Sequence, residues 1–206
     1  MTIRKGEAWG RTIDRPDELT TVTDDAHLAA QLAAQRGSES PPALLAAGGD
    51  LARTLGGSAG RTQVNELPID LLEVHLDGTD RPIASCAHVV MRAPWWRGGW
   101  FRGTIVLVMN AEFVGRWDVA PRGHPNDGRA EVFEAGPELS LRQRLAAWRR
   151  LPNASHLPHP AITTRSVERE RWAFRRPMVV RIDGQGRGRA TDVEVTVIPD
   201  AGIVHV

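Results

Sequence analysis

Short apolar segments separated by turn residues recur through the last two thirds of the chain, and they limit the possible folds more than any other feature. Leu72, Val74 and Leu76 alternate with polar residues, the pattern of a strand with one buried face. The run 104–109 is continuously apolar and rich in β-branched residues, as expected for a strand buried on both faces. Further strands are predicted at 83–91, 129–134, 178–183, 193–198 and 203–206.

Two helices are predicted at the margins of these strands. Asp24 or Asp25 caps the first helix, and Gly37 ends it with a left-handed turn. Ser140 caps the second helix. Its apolar side consists of Leu141, Leu145 and Trp148. The fold class is therefore α+β and β-dominated, an antiparallel β-sandwich or open barrel with short helices at its periphery.

Length and cysteine content exclude several classes of protein. A chain of 206 residues buries enough surface to fold without disulfides or a structural metal. Its one cysteine, Cys86, cannot form an internal disulfide or a CxxC site, which favours a reducing compartment. The first residues lack the apolar run of a secretory signal, and no 18 apolar residues run together. We therefore expect a cytoplasmic protein.

A tryptophan-rich segment at 95–102 is the first candidate for an interaction surface. Four large aromatic residues alternate with arginines and glycines there, and we expect a hairpin tip or loop. Indole rings and arginines suit the interface of an anionic membrane, which would place the protein at the membrane periphery. The predicted lipid or interface residues are Trp95, Trp96, Arg97, Trp100 and Phe101. A tryptophan-rich core or a dimer contact explains the same residues.

The glycine-rich segment 47–57 is the second candidate. Successive glycines let backbone N–H groups approach an anion, so we predict phosphate or nucleotide contacts from Gly48, Gly49, Asp50 and Arg53. The segment matches neither standard phosphate-loop motif. Taken alone, it favours a helix-capping turn.

Several motifs in order resemble the diacylglycerol kinase and YegS-like bacterial lipid kinase family. Residues 50–55 follow the end of the family's G-T-G-N-D-[FL]-A-R-x-L motif. Residues 110–115, 120–121 and 126–128 are similar to its N-G-x-x-x-G, A-P and D-D-G segments, and 156–160, 183–185 and 197–201 to its closing G-x-H, D-G-E and V-x-P-x-A pattern. The resemblance covers 44–206. It implies a β-rich C-terminal domain of lipid kinases at 61–206, preceded at 1–60 by a shortened α/β remnant with one helix and a glycine-rich turn.

The departures from this family concern the residues of phosphoryl transfer. The family has a G-G-D-G-T phosphate loop upstream of Gly48, and no such segment precedes it here. The preceding residues are too few for a doubly wound nucleotide domain. Gln185 replaces the glutamate of D-G-E and cannot serve as a base, and Asn126 replaces one carboxylate of the cation-holding D-D-G. This leaves Asp183 as the catalytic base of an active enzyme and Asp127 as a weak metal ligand.

Three functions remain open. The first is a non-catalytic lipid-kinase-like protein that binds a lipid or phosphorylated ligand near Gly48–Arg53 and Asp183, without a cofactor, as a homodimer or beside a separate catalytic subunit. The second is a minimal lipid kinase that uses ATP, Mg²⁺ and Asp183 to phosphorylate diacylglycerol or a similar lipid. The third is a structural module that forms a homodimer through 95–101.

Two other kinds of site receive little support. A nitrogen and oxygen metal site is conceivable from His124, Asp127, His156 and His159, but their spacing does not require it. The Arg-Gly-Arg at 187–189 has no RNP-like or zinc module beside it, so we expect no nucleic-acid partner.

Overall fold

A computed structural model of the chain describes residues 9–38, 41–57, 62–157 and 159–206. The strands are β1 (Arg11–Asp14), β2 (Thr20–Val22), β3 (Leu44–Ala46), β4 (Gln63–Leu76), β5 (Ile83–Ser85), β6 (His88–Arg92), β7 (Ile105–Met109), β8 (Phe113–Val114), β9 (Trp117–Asp118), β10 (Ala130–Ala135), β11 (Ile162–Val167), β12 (Arg169–Ile182) and β13 (Gln185–His205). The helices are α1 (Asp25–Gln35), α2 (Gly49–Thr54), α3 (Gly99–Arg102) and α4 (Leu141–Arg150), with short 3-10 turns at Trp95–Arg97 and Leu151–Asn153.

The long strands β4 and β13 are neighbours in the main sheet. They pair antiparallel over 71–76 with 193–198 and, beyond an irregularity, over 66–69 with 202–205. Within the described ranges the main sheet has eleven strands, and its longest path runs β1-β4-β13-β12-β6-β7-β10-β11. The pairs along this path are antiparallel. The predicted β-dominated antiparallel fold is confirmed.

A small α/β unit lies at the N-terminal side of this sheet. Strands β2 and β3 are parallel, as a strand–helix–strand crossover through α1 requires, and β3 also pairs parallel with the end of β13. The Asp24 side chain caps α1 by accepting from the His27 N–H. Leu28 and Leu32 of α1 are buried against the sheet. The expected α/β remnant is therefore present, with α2 as a second helix at the glycine-rich turn.

The apolar core of the β-rich part is built from side chains of six strands of this path. Leu72 and Val74 of β4 pack in one cluster with residues of β6, β7, β10, β12 and β13. Their polar neighbours Glu73 and His75 are only half-buried, so the predicted alternation is confirmed. None of the helices in the described ranges combines the length and hydrophobicity needed to cross a bilayer.

One sequence prediction about local structure is wrong, and another is confirmed. The strand predicted at 83–91 is two strands, because the N–H groups of Cys86 and Ala87 bind a side chain from another turn instead of a neighbouring strand. The segment 95–102 is the tip of the antiparallel β6–β7 hairpin, as predicted. It forms a 3-10 turn followed by α3, and Gly98, at φ +96°, permits the change of direction between them.

Helix α4 buries an arginine and exposes two leucines, the reverse of the usual arrangement. Arg144 is 2% exposed, whereas Leu141 and Leu145 are 38% and 40% exposed. The Arg144 guanidinium lies inside because it donates to the backbone carbonyls of Leu139, Trp100 and Gly136. The predicted apolar side of this helix exists, but its two leucines face outward.

Candidate functional site

A cavity of about 390 Å³ lies where the N-terminal unit meets the sheet, and we call it the polar cavity. Its wall includes Asp25, Gly49, Asp50, His88, Arg181 and Asp183. Three of the sequence-predicted site residues, Gly49, Asp50 and Asp183, are thus brought together although they come from opposite ends of the chain.

The other two predicted phosphate contacts do not line this cavity. Gly48 precedes α2, and a Cβ there would lie 2.5 Å from the Thr23 carbonyl oxygen. Arg53 donates to the Gly115 carbonyl at 2.6 Å, and its guanidinium lies 4.2 Å from the centre of the Phe113 ring. Both residues therefore have contacts that hold α2 in place.

Asp25 occupies the N–H groups that the sequence offers to a phosphate. Its carboxylate accepts from the backbone N–H groups of Asp50 at 2.6 Å and Leu51 at 3.1 Å. Gly49, at φ +93°, allows this approach, since a Cβ there would lie 2.2 Å from the Asp25 Oδ1. Burial raises the pKa of Asp25 to about 6, against the lowering effect of these two hydrogen bonds. The start of α2 thus binds an anion that belongs to the chain itself.

Asp183 is held by four donors. Its carboxylate accepts from the Ser85 hydroxyl at 2.7 Å and from the backbone N–H groups of Cys86, Ala87 and His88 at 2.9 to 3.0 Å. Three of these donors bind Oδ1 and one binds Oδ2, so one acceptor position on Oδ2 is not used by them. The interaction joins the β12–β13 turn to the segment between β5 and β6. Gln185 is exposed at the start of β13.

The electrostatics of the polar cavity favour positive rather than negative groups. Its described lining contains the carboxylates of Asp24, Asp25, Asp50 and Asp183 and one guanidinium, that of Arg181. Arg181 donates to the Gly184 carbonyl. A triphosphate in the polar cavity would therefore meet a wall of net negative charge. This repulsion is stronger in a partly desolvated site than it would be in water.

Within the described chain, His88 is the one residue of the polar cavity with a fully buried side-chain polar atom that lacks a hydrogen bond. Its Nδ1 lies 3.5 Å from the Asp50 Oδ2 and has no hydrogen bond among the described residues. Burial lowers the pKa of His88, and the carboxylates of Asp183 and Asp50 oppose that shift. The Asp50 carboxylate itself accepts from the Gly115 N–H at 2.8 and 3.0 Å.

Asp127, the predicted metal ligand, lies beside a network of amide donors. Its carboxylate accepts from the Arg129 N–H at 3.0 Å. The neighbouring Asp70 is fully buried and accepts from the N–H groups of Gly128 and Asp200 and from the Asn126 amide. In the part of the chain that is described, no three His, Cys, Asp or Glu side chains are placed to hold a metal ion.

The four residues considered for a metal site do not form one cluster among the described residues. The ring of His124 lies 4.3 Å from that of Trp9, and Asp127 is close enough to influence its pKa. His159 accepts from the Ala161 N–H. His156 lies in a different environment, beside the Phe133 ring.

A second cavity, of about 90 Å³, lies between α4 and the strands β7 and β10, and we call it the apolar cavity. Its wall includes Trp100, Leu107, Phe133, Arg144, Trp148 and His156. Trp100 and Val114 line both cavities, so the two are adjacent. Among the predicted interface residues, Trp100 is the one that reaches these sites.

The remaining predicted interface residues lie on an exposed surface. Trp95 is 79% exposed, and Trp96 and Phe101 are also more than half exposed. Phe101 contacts Trp148 with ring centres 5.2 Å apart, on the same side of α4 as the two exposed leucines. We define the aromatic–arginine face as Trp95, Trp96, Phe101, Leu141 and Leu145 with Arg97, Arg102, Arg142 and Arg149.

This face has a strong positive bias. The segments 93–111 and 139–160 contain arginines but no aspartate or glutamate. Arg97 donates to the Pro177 carbonyl, and Arg189 from β13 lies 4.4 Å from the Trp96 ring centre. Large exposed apolar residues and uncompensated arginines thus occur together.

Sequence reasoning missed four residues that shape these sites. Asp25 was considered only as a cap for α1, but Asp24 takes that role and leaves Asp25 for α2. His88 lay within a predicted strand, and Arg144 within a predicted helix, without a feature that marked them. The sequence suggests His156 only as a metal ligand, because the apolar residues that surround it in the fold are not its neighbours in the sequence.

Comparison with known proteins identifies the fold. No family model and no curated protein matches the sequence. Two solved structures of "a putative diacylglycerol kinase" from Bacillus anthracis str. Sterne are 13% identical, with 91% of this chain and 77% of theirs covered and TM-scores of 0.67 and 0.63. A third, described as a diacylglycerol kinase from the same organism, has 13% identity, 91% and 75% coverage, and a TM-score of 0.57. The chain therefore has a diacylglycerol kinase-like fold.

Proposed function

We propose that this chain is a non-catalytic protein of diacylglycerol kinase-like fold that binds anionic membranes and their lipids through the aromatic–arginine face. The observation that carries the proposal is the orientation of α4 beside α3. Leu141 and Leu145 face outward on the helix whose Trp148 contacts Phe101, whereas Arg144 is buried. A surface helix normally buries its apolar side, so this arrangement favours an apolar partner outside the chain.

The chemistry of the face matches a lipid surface. Exposed Trp95 and Trp96 suit the headgroup region, where an indole ring meets apolar and polar surroundings at once. Arginines around them suit lipid phosphates, which supply the phosphorylated ligand expected from the sequence. The absence of carboxylates in 93–111 and 139–160 removes the repulsion that an anionic membrane would otherwise meet.

The polar cavity supports the non-catalytic part of the proposal. Asp183, the predicted general base, is buried, and its four hydrogen bonds join the β12–β13 turn to the segment between β5 and β6, which supports a structural role. A phosphate cradle needs free N–H groups, and Asp25 already accepts from those of Asp50 and Leu51. We propose no cofactor for membrane binding.

Vesicle co-sedimentation tests this function. We expect binding to vesicles of phosphatidylcholine with phosphatidylglycerol, weaker binding at higher salt, and little binding to phosphatidylcholine alone. The double variant Trp95→Ser, Trp96→Ser should lose binding. Ile203→Ser is the matched control, because Ile203 is 50% exposed but lies on β13 outside the face. Equal binding of the double variant and the control would contradict the proposal.

The kinase alternative rests on the meeting of Gly49, Asp50 and Asp183 in one cavity. Incubation with labelled ATP, Mg²⁺ and diacylglycerol tests it. Catalytic transfer of phosphate by the unmodified chain, lost in an Asp183→Asn variant whose unfolding transition shows that it remains folded, would establish the kinase. The proposal expects no transfer and no rise in melting temperature with ATP, since a ligand that binds the folded state must stabilise it.

The homodimer alternative rests on the exposed aromatic area of the same face. Sedimentation velocity over a range of concentrations distinguishes it from membrane binding. A concentration-dependent dimer that Trp95→Ser, Trp96→Ser abolishes, without vesicle binding by the unmodified chain, would favour the dimer.

A further inference from the structure

The apolar cavity contains two polar groups that its hydrocarbon wall does not explain. Arg144 and His156 are 2% and 5% exposed, and both line it. The rest of the wall is almost wholly apolar. Such a site binds ligands that combine a hydrocarbon part with a small number of polar atoms.

Arg144 brings a buried positive charge that forms no ion pair within the described chain, although the Glu138 carboxylate is near enough to influence its pKa. Its guanidinium donates to the carbonyls of Leu139, Trp100 and Gly136 at 3.0, 3.1 and 2.6 Å. A guanidinium has five N–H donors, so two remain. Glu134, the acidic residue of the wall, is already bound by Arg165 at 2.7 Å and by the Trp172 indole N–H at 2.6 Å.

His156 has no hydrogen bond of acceptable geometry on either ring nitrogen within the described chain. Burial lowers its pKa, against smaller opposing effects of the Val119 backbone and the Asp118 carboxylate. The imidazole is therefore neutral at pH 7 and carries one N–H donor and one acceptor. A buried polar group without a partner destabilises a fold, unless a ligand or an ordered water supplies that partner.

We infer that the apolar cavity binds a single-chain carboxylic acid, with the carboxylate against the spare donors of Arg144 and the hydrocarbon chain against the aromatic and aliphatic wall, in which His156 offers a second polar contact. Charge decides among amphiphiles: a carboxylate pairs with the spare guanidinium donors, an alcohol pairs without charge, and a cationic head is repelled. A volume of about 90 Å³ accepts only part of a long chain, and the rest would extend past Trp148 toward Phe101. The inference rests on the proposed lipid-binding function and names a ligand for it.

Tryptophan fluorescence measures this binding without vesicles. Trp100, Trp117 and Trp148, three of the seven tryptophans, line the cavity and report its occupation. Decanoate, decanol and decyltrimethylammonium are titrated at pH 7.4 below the concentrations at which they form micelles. We expect decanoate to bind about tenfold more tightly than decanol, as one charge-assisted hydrogen bond allows, and the cation to bind least.

Two pairs of variants locate the site. Ala147→Leu fills the cavity from α4 and should abolish the decanoate response, whereas Ala146→Leu, one residue earlier on the exposed side of the helix, should not. His156→Phe keeps the size of the ring but removes its nitrogens, and should reduce the preference for decanoate over decanol. His27→Phe, on exposed α1, is its control. Because Arg144 holds three carbonyls, its replacement could prevent folding, and the test does not depend on it.

The outcomes separate this inference from the proposed function. Equal affinities for decanoate and decanol, tighter binding of the cation, or an unchanged response in Ala147→Leu would each overturn the carboxylic-acid site. If vesicle binding persists while decanoate gives no response, only the cavity inference fails. If decanoate binds as expected while vesicles do not, only the membrane proposal fails.

Discussion

The polar cavity and the apolar cavity share two wall residues but differ in how their polar groups are satisfied. In the polar cavity the carboxylates of Asp25 and Asp183 accept six hydrogen bonds from the chain itself. In the apolar cavity neither nitrogen of His156 has a hydrogen bond among the described residues, and Arg144 forms no ion pair with them. Groups that the chain satisfies stabilise its own fold, whereas groups left open indicate where an external molecule contributes. Apart from His88 Nδ1, the comparison therefore favours a ligand site away from the residues that resemble a kinase motif.

The largest effect expected from this comparison is the stability lost when Asp183 is replaced. Asp183→Asn places an amide N–H among three backbone N–H donors and a hydroxyl, and we expect the free energy of unfolding to fall by roughly 3 kcal/mol or more. Urea unfolding measures it. Asp77→Asn is a close control, because Asp77 also has a positive φ before a glycine and accepts from Thr191 and Asp192, but is exposed. Its loss should be about 1 kcal/mol. Equal losses at the two positions would show that Asp183 is not chiefly structural.

Asp25 gives the next largest effect, as a dependence of stability on pH. Its pKa is about 6 in the folded state, whereas the ordinary value of 3.8 applies to the unfolded chain, so between these values the folded state binds more protons than the unfolded state. Stability from this group therefore falls as the pH rises from about 4 to about 6, by roughly 3 kcal/mol, and stays constant above that.

Unfolding across this pH range compares the native chain with Asp25→Asn and Asp24→Asn. Asp25→Asn should remove this fall in stability, whereas Asp24→Asn, which changes the exposed cap of α1, should retain it. A fall that survives in Asp25→Asn would mean that another group causes it.

Replacing His156 tests the same comparison in the apolar cavity. His156→Phe removes two unpaired buried nitrogens at similar volume, so we expect it to raise the free energy of unfolding of the ligand-free protein by about 1 kcal/mol. A thermal or urea transition measures this increase. A clear loss of stability would show that the imidazole already has a partner and that the cavity needs none from a ligand.

The smallest expected effect lies on the aromatic–arginine face. Leu145→Ala should change the free energy of unfolding by less than about 0.5 kcal/mol, as is usual for exposed positions. Leu32→Ala on α1, fully buried, should cost about 2–5 kcal/mol by comparison. A large loss at Leu145 would place it in the core and remove the main support for membrane binding.

Strand periodicity predicted much of the β-rich part, because local alternation reports which face of a strand is buried. The half-buried alternation at 72–76 and the buried run at 104–109 lie in β4 and β7. The same reasoning missed the exposed and short strands β1, β2 and β11, whose pairing depends on distant segments. It also joined β5 and β6, since nothing local shows that Asp183, 97 residues from Cys86, binds the N–H groups between them.

The sequence predicts only those residues of the candidate site that belong to a recognisable local motif. Gly49, Asp50 and Asp183 were named and share a cavity, but the sequence does not show that Asp25 fills the anion position beside them. The outward side of α4 was equally hidden. A helical apolar pattern shows which residues share a face, and Arg144 becomes the buried residue only because three carbonyls from outside the helix surround it.

Quenching of tryptophan fluorescence by brominated lipids tests the central claim, that the aromatic–arginine face enters an anionic bilayer, most directly. Vesicles of phosphatidylglycerol with phosphatidylcholine brominated on the acyl chains should quench the native chain strongly, and the Trp95→Ser, Trp96→Ser variant little. Brominated vesicles of phosphatidylcholine alone should leave both nearly unquenched. The absence of quenching in anionic vesicles, or the same quenching in the double variant, would contradict the account.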